Sequence, residues 1–145
     1  MTEMVLPSHT NSLDSVFGGV IMSWIDICAA ISAQRHCHRP VVTASIDALN
    51  FMAPAYKGWV VTLRASVNFV ARSSMEVGVR VEAEHLVRKE KIQIASAYLT
   101  FVALDDNGKP MLVEPVLPQS PDEKRRFAAA KIRRELRIKS PNFKQ

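Results

Sequence analysis

The chain has 145 residues, 48% hydrophobic and 23% charged, a balance that excludes a disordered or fibrous protein and indicates a folded domain. A chain of this length buries roughly 70% of its unfolded surface around one core, so a second independent globular unit is not expected. The net charge of +5 is a property of the end: residues 120–145 carry nine Lys/Arg against three Asp/Glu, while residues 1–119 carry ten against eleven.

The first residues, Met1 to Pro7, have neither the basic start nor the apolar run of a secretory signal, and the expected compartment is the cytoplasm. Pro7 to Phe17 is rich in Ser, Asn, Asp and Thr and runs into Gly18-Gly19, the pattern of a loop feeding a helix. From Val20 to about Gln34, Val20, Ile21, Trp24, Ile25, Ile27, Cys28 and Ile31 cover most of a helical wheel, too much for a surface helix with one apolar stripe. Ser23, Asp26, Ala30 and Ala33 recur at helical spacing as a smaller edge that carries Asp26. Ser23, Asp26 and Ser32 interrupt this greasy stretch, so it does not read as a membrane span.

After Pro40 the period changes to two. Val41 to Phe51 reads as a strand, followed by Leu63, Ala65, Val67 and Phe69 alternating with polar residues, and by Met75, Val77, Val79, Val81 and Ala83. Ile92 to Leu104 is a further strand, apolar on both faces, closed by a turn at Asp105-Asp106-Asn107-Gly108. Ser120-Pro121-Asp122-Glu123 is a helix start with Ser as N-cap and Glu closing a capping box. The apolar contacts of that terminal helix are expected from Ala128, Ile132 and Leu136, a narrow stripe whose docking is weak or needs another subunit. Its Lys and Arg residues read as a solvated face. With no interleaved aromatics, nucleic acid is not an expected partner. The fold class that emerges is α+β, one long helix against many antiparallel strands.

Several routes to hydrolysis are absent from the sequence. There is no Gly-x-Ser-x-Gly elbow and no Gly-rich phosphate loop. His36-Cys37-His38 are consecutive and cannot easily converge on one ion, so no metal is expected. Cys28 and Cys37 are too few for a disulfide framework and read as structural. Asn11, Gly18, Gly19 and Asp26 remain. On spacing alone, an Asp on a polar helix edge is more often solvated than catalytic, and Gly-Gly before a helix is commonly just a flexible entry.

His9-Thr10-Asn11-Ser12-Leu13, Val16-Phe17-Gly18-Gly19-Val20-Ile21-Met22 and Asp26 resemble the acyl-CoA hydrolase family of hotdog proteins. The likeness resumes at Arg35-His36-Cys37, Val41 to Asp47, Asn50-Phe51, Pro54, Gly58 and Ser73-Ser74-Met75-Glu76, and covers about residues 3–115. It implies the hotdog fold, a long central helix wrapped by a curved antiparallel sheet, over residues 1–118, with residues 119–145 a basic helical tail. It implies an acyl-CoA thioesterase in which Asp26 is general base or nucleophile, Asn11 a positioning donor from the opposite subunit, and the backbone N–H of Gly19, or of Val20 beside it, an oxyanion donor, with Gly18 adjoining them in the site. It also places the coenzyme A portion of the substrate along Val41 to Asp47, including Thr43, with the nucleotide near Arg72, Ser73 and Ser74, and Arg88 and Lys89 as further candidates for the same anionic group. No cofactor is implied beyond the coenzyme A of the substrate. The implied assembly is a homodimer that forms the active sites, within a trimer of dimers. An acyl-thioester dehydratase would need a His in the active-helix region, where this sequence has none; an acyl-CoA sensor without catalysis is the alternative.

Overall fold

The computed structural model describes residues 1–140. Five antiparallel strands, β1 (Thr2–Met4), β2 (Val41–Phe51), β3 (Val60–Ala71), β4 (Ser74–His85) and β5 (Glu90–Ala103), form one sheet in the order β1-β3-β4-β5-β2. Helix α1 (Gly18–Cys37) packs on one face of this sheet and helix α2 (Pro121–Ile138) on the other. This is the α+β hotdog architecture expected from the sequence.

Alternation does most of the sorting. Met75, Val77, Val79, Val81 and Ala83 of β4, with Ala95, Ala97, Leu99 and Phe101 of β5, point to one face and are buried. Against them α1 lays Ile21, Trp24, Ile25, Cys28, Ala29 and Ala33 at steps of three and four. Complete burial of side chains such as Ile25 and Leu99 contributes about 1.5–3 kcal/mol each. Ala33, on the same helix edge as Asp26 by spacing, is fully buried, so that edge is not polar along its whole length but closes into the core. Along its flanks and outward side α1 leaves Met22, Ile27 and Ile31 between 39% and 51% exposed, so the apolar wheel read from the sequence exceeds what this sheet covers.

The strand forecasts need one correction. Leu63, Ala65, Val67 and Phe69 do not share a buried face, because the β3–β4 register shifts between Val67 and Phe69. Such a bulge inserts a residue and reverses the alternation. Asn68 becomes buried on the α2 side, and Phe69 meets Phe127 of α2 edge-on with ring centroids 5.1 Å apart. The three-residue β1 carried too short a pattern to be read from the sequence. It pairs Thr2, Glu3 and Met4 with Thr62, Val61 and Val60.

Helix α2 starts where its sequence indicates, with Ser120 Oγ accepting from the Glu123 amide at 3.1 Å, but the expected capping box does not close: Glu123 Oε2 accepts from the Gln119 amide, one residue before the cap. Its docked face differs from the expected one. Ile132 and Leu136 are 58% and 65% exposed. The helix rests instead on Phe127, buried Ala130, and two arginines. Arg133 makes two hydrogen bonds to Glu76, at 2.7 and 3.1 Å, and lies over the Tyr98 ring. Arg137 bonds Asp47 at 3.1 Å. A helix phase chosen by apolar content alone missed this, because arginine stems and guanidinium planes also pack.

Candidate active site

Helix α1 begins at Gly18 without a side-chain cap. The Val20 amide turns back to the Phe17 carbonyl at 3.0 Å, while the amides of Gly18 and Gly19 meet no acceptor among the described residues. Two donors at a helix N-terminus favour negative charge. A Cβ at Gly19 would stand 2.7 Å from the Phe17 ring, so a side chain here would have to push that exposed ring aside.

Just before the helix, Asn11 organises a turn. Its side-chain Oδ1 accepts from the Leu13 amide at 2.9 Å and from the Ser15 amide and hydroxyl at 3.3 and 3.1 Å. Those bonds use the oxygen and fix the plane of the amide, leaving the Nδ2 group as the available donor.

Asp26 lies two turns into α1 and is half-buried. Its Oδ1 accepts a 2.7 Å hydrogen bond from the Thr43 hydroxyl on β2. The orienting group for the carboxylate is therefore Thr43, which the sequence reading had placed along coenzyme A. Seventeen residues and a strand separate the two, so no local spacing pattern could have paired them. The seven residues from Gly19 to Asp26 span about 10 Å of helix axis, too far for both to act on one carbonyl within a single chain.

Arg72 and Ser73 form the turn between β3 and β4, with Ser74 opening β4 opposite Ala71. Ser74 lies across from Val102 and Val102 from Val42, so this turn sits at the Thr43 end of the sheet. Arg88 and Lys89 occupy the β4–β5 turn at the other end of β4, where Arg88 pairs with Glu90 and reaches over Trp59. The twelve residues of β4 span nearly 40 Å. Within one chain these two cationic turns cannot hold the same phosphate, so Arg88 and Lys89 could join Arg72 at one anionic group only from another subunit.

The remaining candidates have structural employment. His36 Nε2 donates to the Glu114 carbonyl at 2.7 Å, and His38 ends α1 in the left-handed conformation. Among the described residues no cluster of His, Cys, Asp or Glu could hold a metal ion. Cys28 is buried, its thiol directed at the Leu63 carbonyl, and burial pushes its pKa up. No helix among the described residues is long and apolar enough to cross a membrane.

Comparison with known proteins agrees with this architecture. The Thioesterase superfamily profile matches residues 13–89. An uncharacterised acyl-CoA thioester hydrolase of Bacillus subtilis is 48% identical over 84% of this chain and 71% of its own length. The cytosolic acyl coenzyme A thioester hydrolase of Mus musculus is 40% identical over 92% of this chain, which spans only 35% of that protein. Among solved structures, an apo-hexameric acyl-CoA thioesterase superposes with a TM-score of 0.93 at 42% identity, covering 96% of this chain and 89% of that one. An acyl-CoA hydrolase from Staphylococcus aureus, solved with butyryl coenzyme A and coenzyme A, gives 0.88 at 39% identity over 94% and 84%. The profile match over more than half the chain, together with the Bacillus relative, establishes that this chain belongs to the thioesterase superfamily.

Proposed function

We propose that the chain hydrolyses acyl-CoA to a carboxylic acid and free coenzyme A, with Asp26 as the residue that delivers oxygen to the thioester carbonyl. The observation that carries this reading is the 2.7 Å hydrogen bond from Thr43 to Asp26. It leaves Oδ2 of the same carboxylate to take a proton from water as general base, or to attack the acyl carbon and form an anhydride that water then opens. In either case the carbonyl oxygen gains negative charge, which the uncommitted amides of Gly18 and Gly19 are suited to stabilise.

Because those amides and Asp26 are too far apart on one helix, the proposed site combines Asn11, Gly18 and Gly19 of one subunit with Asp26 and Thr43 of another. Two surfaces favour such a homodimer. Strand β2, of eleven residues, is at the sheet edge with one side unpaired among the described residues, an arrangement that templates pairing with another strand. On the same side of the molecule α1 exposes Met22, with Ile27 further round its outward face. Hexameric relatives support the further assembly into a trimer of dimers.

The Staphylococcus enzyme gives independent support. Its structure has been solved with alanine in place of an asparagine, an aspartate and a threonine separated by 15 and 17 positions, the spacing of Asn11, Asp26 and Thr43 here. The Arg72–Ser74 turn, at the Thr43 end of the sheet, is the proposed seat of the coenzyme A phosphates, and no cofactor beyond that coenzyme A is required.

The test is a panel of acyl-CoA chain lengths with a free-thiol readout on the native chain and Asp26→Asn. The native chain releases thiol from at least one substrate, and Asp26→Asn lowers kcat by roughly a hundredfold or more. Tight acyl-CoA binding without thiol release would make the protein a sensor, and undiminished turnover in Asp26→Asn would remove Asp26 from the chemistry.

A further inference from the structure

Strand β2 serves both helices at once, and a bulge makes this possible. In a regular strand residues 43, 45 and 47 would share a face. Here the β2–β5 register advances from Thr43 opposite Phe101 to Ser45 opposite Thr100, so Ala44 is an inserted residue. Thr43 thus follows buried Phe101 toward α1, where it meets Asp26. Ser45 and Asp47 follow Thr100 and Tyr98 toward α2.

The segment between Thr43 and Asn50 is poorly held by the sheet. A second register shift lies between Asp47 and Asn50, where Ala48 takes a positive φ of 49°. The outer edge of β2 has no neighbouring strand among the described residues. Between the two irregularities, Ser45, Ile46 and Asp47 pair with β5 alone. What holds this segment from outside the sheet is α2: the Arg137 guanidinium bonds Asp47 Oδ2 at 3.1 Å, and Ser45 Oγ donates to the same oxygen at 3.3 Å. Arg137 is well placed to be firm, with its side chain 17% exposed. One turn earlier Arg133 is locked between Glu76 of β4 and the Tyr98 ring of β5, 3.7 Å from its centroid. Two arginines of one helix thereby tie together three adjacent strands.

We propose that Arg137 is a positioning residue: through Asp47 it fixes the bulged segment of β2 and so holds the Thr43 hydroxyl on Asp26. The basic helix belongs to the catalytic apparatus by mechanical connection, with no contact to substrate. This rests on the reading of Asp26 and Thr43 given above. Small displacements of a group that orients a reacting carboxylate are costly in rate, whereas the Arg137–Asp47 pair, with Asp47 partly exposed, contributes little to stability itself.

The test is a kinetic double-mutant cycle on the full chain, with folding of each variant followed by urea denaturation. Thr43→Ala lowers kcat by about tenfold or more. Arg137→Ala lowers kcat roughly fivefold with little change in KM, and Arg137→Lys restores part of the loss. In the Thr43→Ala background, Arg137→Ala has no further effect, since there is no hydroxyl left to misplace. If Arg137→Ala unfolds the helix, Asp47→Asn severs the same contact from the strand and carries the same expectation. An equal loss from Arg137→Ala or Asp47→Asn in both backgrounds, or no loss in either, overturns the proposal while leaving the site intact. Undiminished kcat in Thr43→Ala overturns the reading of the site, and the inference falls with it.

Discussion

Helices α1 and α2 grip the same sheet from opposite faces with different chemistry. Helix α1 inserts Ile21, Trp24, Ile25, Cys28 and Ala33 among the apolar side chains of β3, β4 and β5, and its one acid, Asp26, finds a hydroxyl at the edge of that contact. Helix α2 inserts one aromatic, one alanine and two arginines, with Glu76, Tyr98 and Asp47 receiving them. An apolar contact is tolerant of small shifts and strong in sum. A bidentate ion pair is directional, and costly when one member is removed. The first arrangement supplies most of the stability, and the second fixes where particular strands lie.

That contrast can be broken at three points, in decreasing order of effect. Ile25→Ala empties a site that is 1% exposed and lowers unfolding free energy by about 2–5 kcal/mol, read as a fall in the urea midpoint with unchanged m. Glu76→Ala leaves Arg133 half-buried without its carboxylate and Asn68 without its acceptor, a loss of about 2 kcal/mol. Its signature is recovery: Glu76→Leu combined with Arg133→Met regains much of that stability, whereas no second substitution at a distant site rescues Ile25→Ala. The smallest effect lies outside both helices. A hydrogen bond from the Lys91 ammonium is the largest effect on the Glu82 carboxyl; desolvation opposes it, and the Arg64 guanidinium adds to it, so that the carboxyl lies below its ordinary 4.5. A depressed folded-state pKa adds stability above the unfolded value and loses it as pH falls through the folded one. Glu82→Gln therefore flattens the acid limb of a stability-versus-pH curve below about pH 4.5 and leaves neutral-pH stability slightly reduced.

The difference between the helices also explains what could be read from residues alone. Helix α1 and the alternation of β4 were legible because apolar periodicity is a direct record of burial, and Met75 to Ala83 match it position by position. The N-cap at Ser120 was legible because capping is local. The phase of α2 was not. Its docked residues are arginines, which in sequence are indistinguishable from the solvated Lys and Arg around them, and Ile132 and Leu136 drew the prediction to the wrong face. The bulges at Ala44 and Asn68 were hidden for a related reason: they arise from pairing with another strand, and nothing in the strand's own residues announces them. Within the site, Asn11, the glycines and Asp26 stand out by type and by the resemblance that frames them. Thr43 is one hydroxyl among several on β2, identified as Asp26's neighbour by the packing of that strand against α1.

Buried Cys28, with its thiol against the Leu63 carbonyl under α1, has a use unconnected with hydrolysis. A thiol reagent reaches this residue, 8% exposed, poorly while the helix is seated, and burial further suppresses the thiolate that would react. Cys37, at the far end of the same helix, is half-exposed. The chain thus contains a slow and a fast alkylation site on one element, and the ratio of their labelling rates reads how often α1 lifts from the sheet, in the native protein and without any introduced probe.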